Sequence, residues 1–221
     1  MCGIAGLIVR QSDTLQSDLV NMLKELVHRG RDATGLAIYE QRDDIQARVS
    51  MTDPAYETNL HDIVEKYGRI TNSNVYRGGG IFSFFEGSID MDPGRISNLH
   101  WDLDSDENLC VHSLGKQIKV YKDQGSAEDL IKFHEIKAGR CSHGIGHVRL
   151  ATESVENINF AHPFVSYLYP ELSLVHNGQF TNYFKMRRKL ESLGVRFKTA
   201  NDTEMAAHFI AYQMKEKGQD L

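Results

Sequence analysis

The chain has 221 residues, 41% of them hydrophobic, and a formal net charge of −5 with both signs interspersed. That is long enough for one sizeable core or two small ones, and no basic face marks it for nucleic acid or an anionic membrane. Three cysteines (Cys2, Cys110 and Cys141) make an odd set that suits a reducing, cytoplasmic setting rather than a disulfide framework. No apolar run approaches the roughly 18 residues of a membrane helix.

The chain opens Met1-Cys2-Gly3-Ile4-Ala5-Gly6. Removal of Met1 would leave Cys2 with a thiol and a free α-amine on one residue. Such an amine titrates at roughly 7.7–8.0, so near neutral pH it can take the thiol proton. Cysteine is also the side chain that needs least activation as a nucleophile. The alternative is an ordinary small residue at the start of a buried strand.

Ile4 to Val9 reads as a buried strand. Leu15, Leu19, Val20, Leu23, Leu26 and Val27 recur at helical spacing, which predicts a helix from about Leu15 to His28 with Gly30 beyond its end. Gly35–Glu40 and Ile45–Met51 read as strands around a polar turn at Gln41–Asp44. From Thr52 to about Cys141 the pattern is weaker. A helix is expected over His61–Arg69, a short strand at Ile81–Phe85, and another at Ile118–Tyr121. Ser126 to Asp129 carries a capping signature for a further helix. Gly78–Gly80 lacks the Gly-Lys-Ser/Thr of a phosphate loop. Asp102, Asp104 and Asp106 alternate like a calcium loop, but Glu107 and Ser113 occupy its glycine and bidentate positions, so a solvated acidic turn is expected.

Gly144–Leu150 predicts a strand, followed by a loop with His162-Pro163-Phe164, a strand at Leu172–Val175 and a tight turn at His176-Asn177-Gly178. A basic amphipathic helix is expected from Tyr183 to Leu193, stopped by Gly194, then a short strand at Val195–Phe197. Asn201-Asp202 starts a last helix through about Lys217. Alternating strands and helices fit either parallel α/β or layered α+β architecture.

Five stretches in order carry a resemblance: Met1-Cys2-Gly3-Ile4, His28-Arg29-Gly30-Arg31-Asp32-Ala33-Thr34-Gly35, Gly146-His147-Val148-Arg149-Leu150-Ala151-Thr152, His176-Asn177-Gly178 and Asn201-Asp202-Thr203-Glu204. Together they resemble the class II glutamine amidotransferases, glutaminase domains of the N-terminal-nucleophile hydrolase superfamily. Within that class they look most like the glutaminase subunits of glutamate-synthase and N-methylglutamate-synthase enzymes. Arg31 stands where the family usually has proline, Val148-Arg149-Leu150 replaces Thr-Arg-Trp, and Glu153 replaces a histidine or aromatic residue.

The resemblance implies an α+β fold: a four-layer αββα sandwich of two antiparallel sheets, spanning residues 1–221, with 52–141 as an inserted or elaborated region. Family members continue past the last helix into further strands, so the chain is a fragment, lacks those strands, or receives them from another chain.

By resemblance, Cys2 attacks the side-chain amide of glutamine, and Asn177 and Gly178 form the oxyanion hole. Arg149 grips the α-carboxylate, Asp202 pairs with the α-ammonium, and Thr152 adds a hydroxyl. Alone, these residues would read as a hairpin turn at Asn177-Gly178, a surface ion pair at Arg149 and a helix N-cap at Asp202. Arg29 is expected to shape the loop over the site. His147, His162 and His176 are read as structural, because the α-amine can serve as base. Neither a metal site nor a cofactor is expected.

The ammonia acceptor is expected on a partner, a synthase subunit, because no nucleotide or sugar-phosphate motif fits the chain; self-association is also compatible. Two rivals stand beside this reading: an N-terminal-cysteine amidase acting on another amide, and a non-catalytic, glutamine-sensing regulatory subunit.

Overall fold

The computed structural model describes residues 2–136, 139–150 and 158–219. Strand β1 (Gly3–Ser12) leads into helix α1 (Leu15–Glu25), which buries Leu15, Leu19, Val20 and Leu23. At 11 residues this helix would be marginal in isolation, so its packed apolar stripe holds it. It ends before His28, and the chain tightens into a 3-10 turn over Val27–Arg29. Strands β2 (Ala33–Glu40) and β3 (Ile45–Met51) follow as expected.

The middle of the chain departs from expectation in register more than in content. Helix α2 (Glu57–Val64) forms earlier than His61–Arg69, because Leu60 and Val64 are the pair that reaches the core. Residues from Gly68 onward are instead strand β4 (Gly68–Arg77), and β5 (Ser83–Met91) outruns the short strand expected there. Asp102 and Asp104 lie on helix α3 (Ile96–Ser105), which buries Ile96, Leu99, His100 and Leu103. Neither is a solvated turn residue: Asp102 accepts from the Tyr67 hydroxyl, and Asp104 accepts the Val111 N–H at 2.7 Å.

Strands β6 (Leu109–Gly115) and β7 (Ile118–Gln124) precede α4 (Ala127–Phe133), whose expected capping box at Ser126 and Asp129 is present. Then come β8 (Cys141–Arg149), β9 (Phe164–Ser166), β10 (Tyr169–Leu174), α5 (Tyr183–Ser192) and α6 (Asp202–Lys217). Gly194, at φ +86°, turns the chain after α5. Val195–Phe197 is not a strand; Val195 is buried against Leu190 and Met205.

One sheet has the order β1-β8-β2-β7, a second β4-β5-β3-β6, and β9 pairs with β10. All the paired strands run antiparallel. This is an α+β sandwich, with helices outside two antiparallel sheets. Helices α1 and α4 pack on one face of the first sheet through Leu19, Leu23, Leu36, Ile38 and Leu130. Its other face carries Ala37, Tyr39, Ile118 and Val120 against Val165 of β9. Helices α2 and α3 cover the second sheet over Val49, Met51, Phe85 and Leu99.

The β6–β7 hairpin joins the sheets, and the buried Arg48 braces the junction. Its Nε donates to the Val120 carbonyl at 2.9 Å, its guanidinium lies 4.0 Å over the Tyr121 ring, and it is paired with Glu86. Among the described residues no helix is long and apolar enough to cross a membrane.

Lys122 on β7 is 3% exposed and lies 5.0 Å from the Phe164 ring. Burial pushes its ammonium down to about 8, with Cys110, Asp104 and Glu204 opposing the shift. The unfolded chain holds this proton to about pH 10.4, so between the two values the unfolded state binds more protons and stability rises with pH. Below about pH 8 the full cost of burying the charge is present. Lys122→Met is therefore expected to raise the urea midpoint at pH 7, by an amount corresponding to at most roughly 3 kcal/mol, and to flatten the rise in stability between pH 8 and 10.5. Equal midpoints at pH 7 would contradict this.

Candidate active site

Antiparallel pairing of β1 with β8 puts Gly3 opposite Val148, so Cys2 and Arg149 meet as the next pair outward at the same sheet end. Gly3 is required by close packing: a Cβ there would lie 3.0 Å from Val148 Cγ2 and 3.3 Å from Arg29 Cβ. Arg29 follows α1 and points its Nε at the Cys2 carbonyl, 3.4 Å away. Gly30 passes so near the end of β8 that a Cβ would sit 2.3 Å from the Arg149 carbonyl carbon. The Asp32 N–H donates to the Arg149 carbonyl at 3.0 Å. The His28–Gly35 stretch thus wraps the end of β8 that carries Arg149.

The segment after β10 bends at Gly178 instead of closing the tight hairpin turn expected at His176-Asn177-Gly178, and it reaches the start of β1. Asn177 Nδ2 donates to the Cys2 carbonyl at 3.0 Å, which ties the turn to the start of β1. A primary amide has two N–H groups, so one donor remains for a ligand. A Cβ at position 178 would press on the His176 ring, 3.0 Å from Nε2; glycine keeps that side open. The His176 ring packs on Phe180 with centroids 4.5 Å apart, and the Phe180 N–H donates to Asp202 Oδ2 at 2.8 Å.

Asp202 is the first residue of α6, and the N-cap is Asn201, whose Oδ1 accepts the Thr203 N–H at 2.8 Å. The cap role expected of Asp202 therefore belongs to its neighbour. A carboxylate in the first turn is still favoured by the helix dipole.

Cys2, Arg149 and Asn177 thus converge at one sheet end, with Gly178 in the same turn and Asp202 attached through Phe180. Cys2 and Arg149 are half-buried, and Asn177 and Gly178 are exposed. Thr152 and Met1 lie outside the described residues. The assembly can present a thiol, amide N–H donors, a cation and a carboxylate to one small molecule. Opposite charges at Arg149 and Asp202 suit a zwitterion.

Sequence reading takes His147 and His162 as structural; the structure joins them in a buried layer behind the site, a pairing the sequence does not show. His147 is 1% exposed and its ring stacks on His162 with centroids 4.3 Å apart. His162 Nε2 lies 2.9 Å from the Thr203 hydroxyl. Burial pushes His147 down to about 4, with the Arg149 cation adding to the shift, and pushes His162 down to about 2. Both rings are neutral at physiological pH. Gly35, directly opposite His147 in register, makes room for His162: a Cβ there would lie 2.0 Å from the His162 carbonyl oxygen. The two histidines are far apart in sequence, and only the alternation of β8 could have hinted that His147 shares a face with Arg149.

Comparison with known proteins points the same way. A family model described as a glutamine amidotransferase domain matches residues 101–220. The chain is 32% identical over 219 residues to a putative glutamine amidotransferase of Methanothermobacter thermautotrophicus, covering 96% of this chain and 72% of that protein. It is 31% identical over 225 residues to a glutamine amidotransferase-like protein, GlxB, of Rhizobium meliloti, again covering 72% of the relative. It is also 38% identical over 118 residues to a glutamine–fructose-6-phosphate aminotransferase of Aquifex aeolicus, covering 53% of this chain and 20% of the relative.

Proposed function

The chain belongs to the glutamine amidotransferase domain family, and on that footing we propose that it hydrolyses the side-chain amide of glutamine through Cys2 and hands the ammonia to a partner synthase. With Met1 removed, the Cys2 α-amine takes the thiol proton as Sγ attacks the amide carbon. The tetrahedral oxyanion is held by the second N–H of Asn177 and the backbone N–H of Gly178. The amine returns its proton to the departing nitrogen, ammonia leaves, and water cleaves the thioester to give glutamate. Arg149 holds the α-carboxylate, Asp202 the α-ammonium, and Thr152 adds a hydroxyl beside Arg149.

The observation that carries this reading is the bond from Asn177 to the Cys2 carbonyl, which joins the proposed oxyanion donor to the proposed nucleophile. The proposed acceptor of the ammonia is a synthase subunit of glutamate-synthase type, acting in the reducing cytoplasm that three free cysteines suit. Residues 52–141, which supply most of the second sheet, are proposed as an elaboration of one amidotransferase domain.

The test is ammonia release, with the matching acid, by the purified, mature protein from glutamine, asparagine, N-acetylglutamine and the α-amide of glutamine. Turnover of glutamine alone is expected. Equal turnover of N-acetylglutamine would remove the role given to Asp202 and favour a general amidase. A protein that retains Met1 by intact mass and turns over none of the four would favour the regulatory reading.

A further inference from the structure

Behind the site, two buried imidazoles without a part in the proposed chemistry connect the segments that face the ligand. His147 lies two residues before Arg149 on the same face of β8. It faces the backbone of His176, the residue before Asn177, which favours its protonated form and partly opposes the effect of burial. His162, stacked on His147 with the rings inclined by 30°, reaches Thr203, the residue after Asp202. The segments bearing Asn177 and Asp202 thus each meet one member of a single ring pair. Among the described residues, His147 Nε2 and His162 Nδ1 have no hydrogen-bond partner.

We propose that the His147–His162 stack is a positioning clamp, which fixes the turn carrying Asn177 and the start of α6 carrying Asp202 relative to Arg149 on β8. The proposal rests on the glutaminase reading for its kinetic readout only. The neutral state of both rings fits the role, since an uncharged stack keeps its geometry across the working pH range. Neither histidine is a catalytic residue in this account; each acts through a neighbour.

The two arms predict different kinetic signatures. Thr203→Val preserves shape but removes the hydroxyl that His162 meets and that itself donates to Asp202 Oδ1 at 3.4 Å, so Asp202 loses its brace. KM for glutamine is expected to rise roughly tenfold with kcat within about twofold, and Thr203→Ser is expected to restore both. His147→Phe keeps an aromatic ring against His162 but loses the polar edge that faces the His176 backbone. It is expected to lower kcat roughly tenfold with little change in KM, because the oxyanion donor moves. A loss of kcat that merely matches the loss of folded protein in His147→Phe, or failure of serine to rescue at position 203, would overturn the clamp.

Amide spectra give a readout that needs no turnover. The Asn177 and Gly178 resonances should move in His147→Phe, and those of Phe180 and Asp202 in Thr203→Val. If the wild-type protein hydrolyses no glutamine, the glutaminase reading fails and these shifts alone judge the clamp. Their confinement to the mutated residue's own strand or helix turn would reject it.

Discussion

Cys2→Ala is expected to abolish glutamine hydrolysis, by at least about a thousandfold as for loss of other enzymic nucleophiles, while leaving the thermal midpoint within a degree or two of wild type. The two halves of this expectation have separate physical grounds. Cys2 is half-buried at the mouth of the site, and its thiol belongs to none of the hydrophobic clusters, so truncation opens no core cavity. Its carbonyl, which takes the Asn177 and Arg29 bonds, is backbone and survives the substitution. What disappears is the only side chain at that sheet end proposed to attack carbon.

The other two cysteines supply an internal control. Cys110 and Cys141 are buried, and burial pushes Cys110 up to about 12 and raises Cys141 as well. Both stay protonated and shielded at pH 7.5 and should resist alkylation. Iodoacetamide is expected to add one carboxamidomethyl group, at Cys2, with activity lost in proportion and saturating glutamine slowing the reaction. An alanine variant that turns over glutamine at the wild-type rate would end the nucleophile assignment. Inactivation that follows modification of Cys110 would point to a different site.

Local pattern carried far in this chain. The apolar stripe of α1, the Ser126 capping box and the alternation of β3 each reflect neighbours a few residues apart, and each element formed close to where it was expected. The helix–strand boundary between Val64 and Gly68 was misread because Gly68 takes its place from a strand partner, Met91, more than twenty residues away. Helix α3 was masked by its own aspartates: their spacing suggested a loop, while Ile96, Leu99 and Leu103 were burying one face.

Antiparallel sheet order was equally out of reach. β8 inserts between β1 and β2, and that long-range pairing brings Arg149 beside Cys2. Of the residues named in the five ordered motifs, Cys2, Arg149 and Asn177 lie at one sheet end, and behind them stand His147, His162 and Gly35. His147 and Gly35 have no local signature beyond membership of a motif, and His162 lies in none of the five.

Gly35→Ala is the substitution that tests this hidden layer most severely. The glycine sits in the middle of β2 without a positive φ, so backbone freedom is not the reason for it. Space is. A methyl group there would lie 2.0 Å from the His162 carbonyl oxygen and 3.1 Å from that of Tyr121, both backbone atoms. β2 cannot retreat, because it is hydrogen-bonded to β7 on one side and β8 on the other. His162 must therefore move, which separates it from His147 and Thr203 at once.

Overpacking of this kind is expected to cost about 3 kcal/mol, and the fraction that still folds should show a raised KM for glutamine. Gly6→Ala on edge strand β1 is the matched control: its methyl would meet nothing nearer than Ile145 Cγ2 at 3.7 Å, an ordinary contact. Alanine there should be neutral or slightly stabilising, since it also restricts the unfolded chain. Urea midpoints for the two variants, with KM measured on each, separate steric exclusion at residue 35 from a general dislike of methyl groups on strand glycines. Equal midpoints would mean that the loop before β9 yields freely, and that His162 is not held where the site needs it.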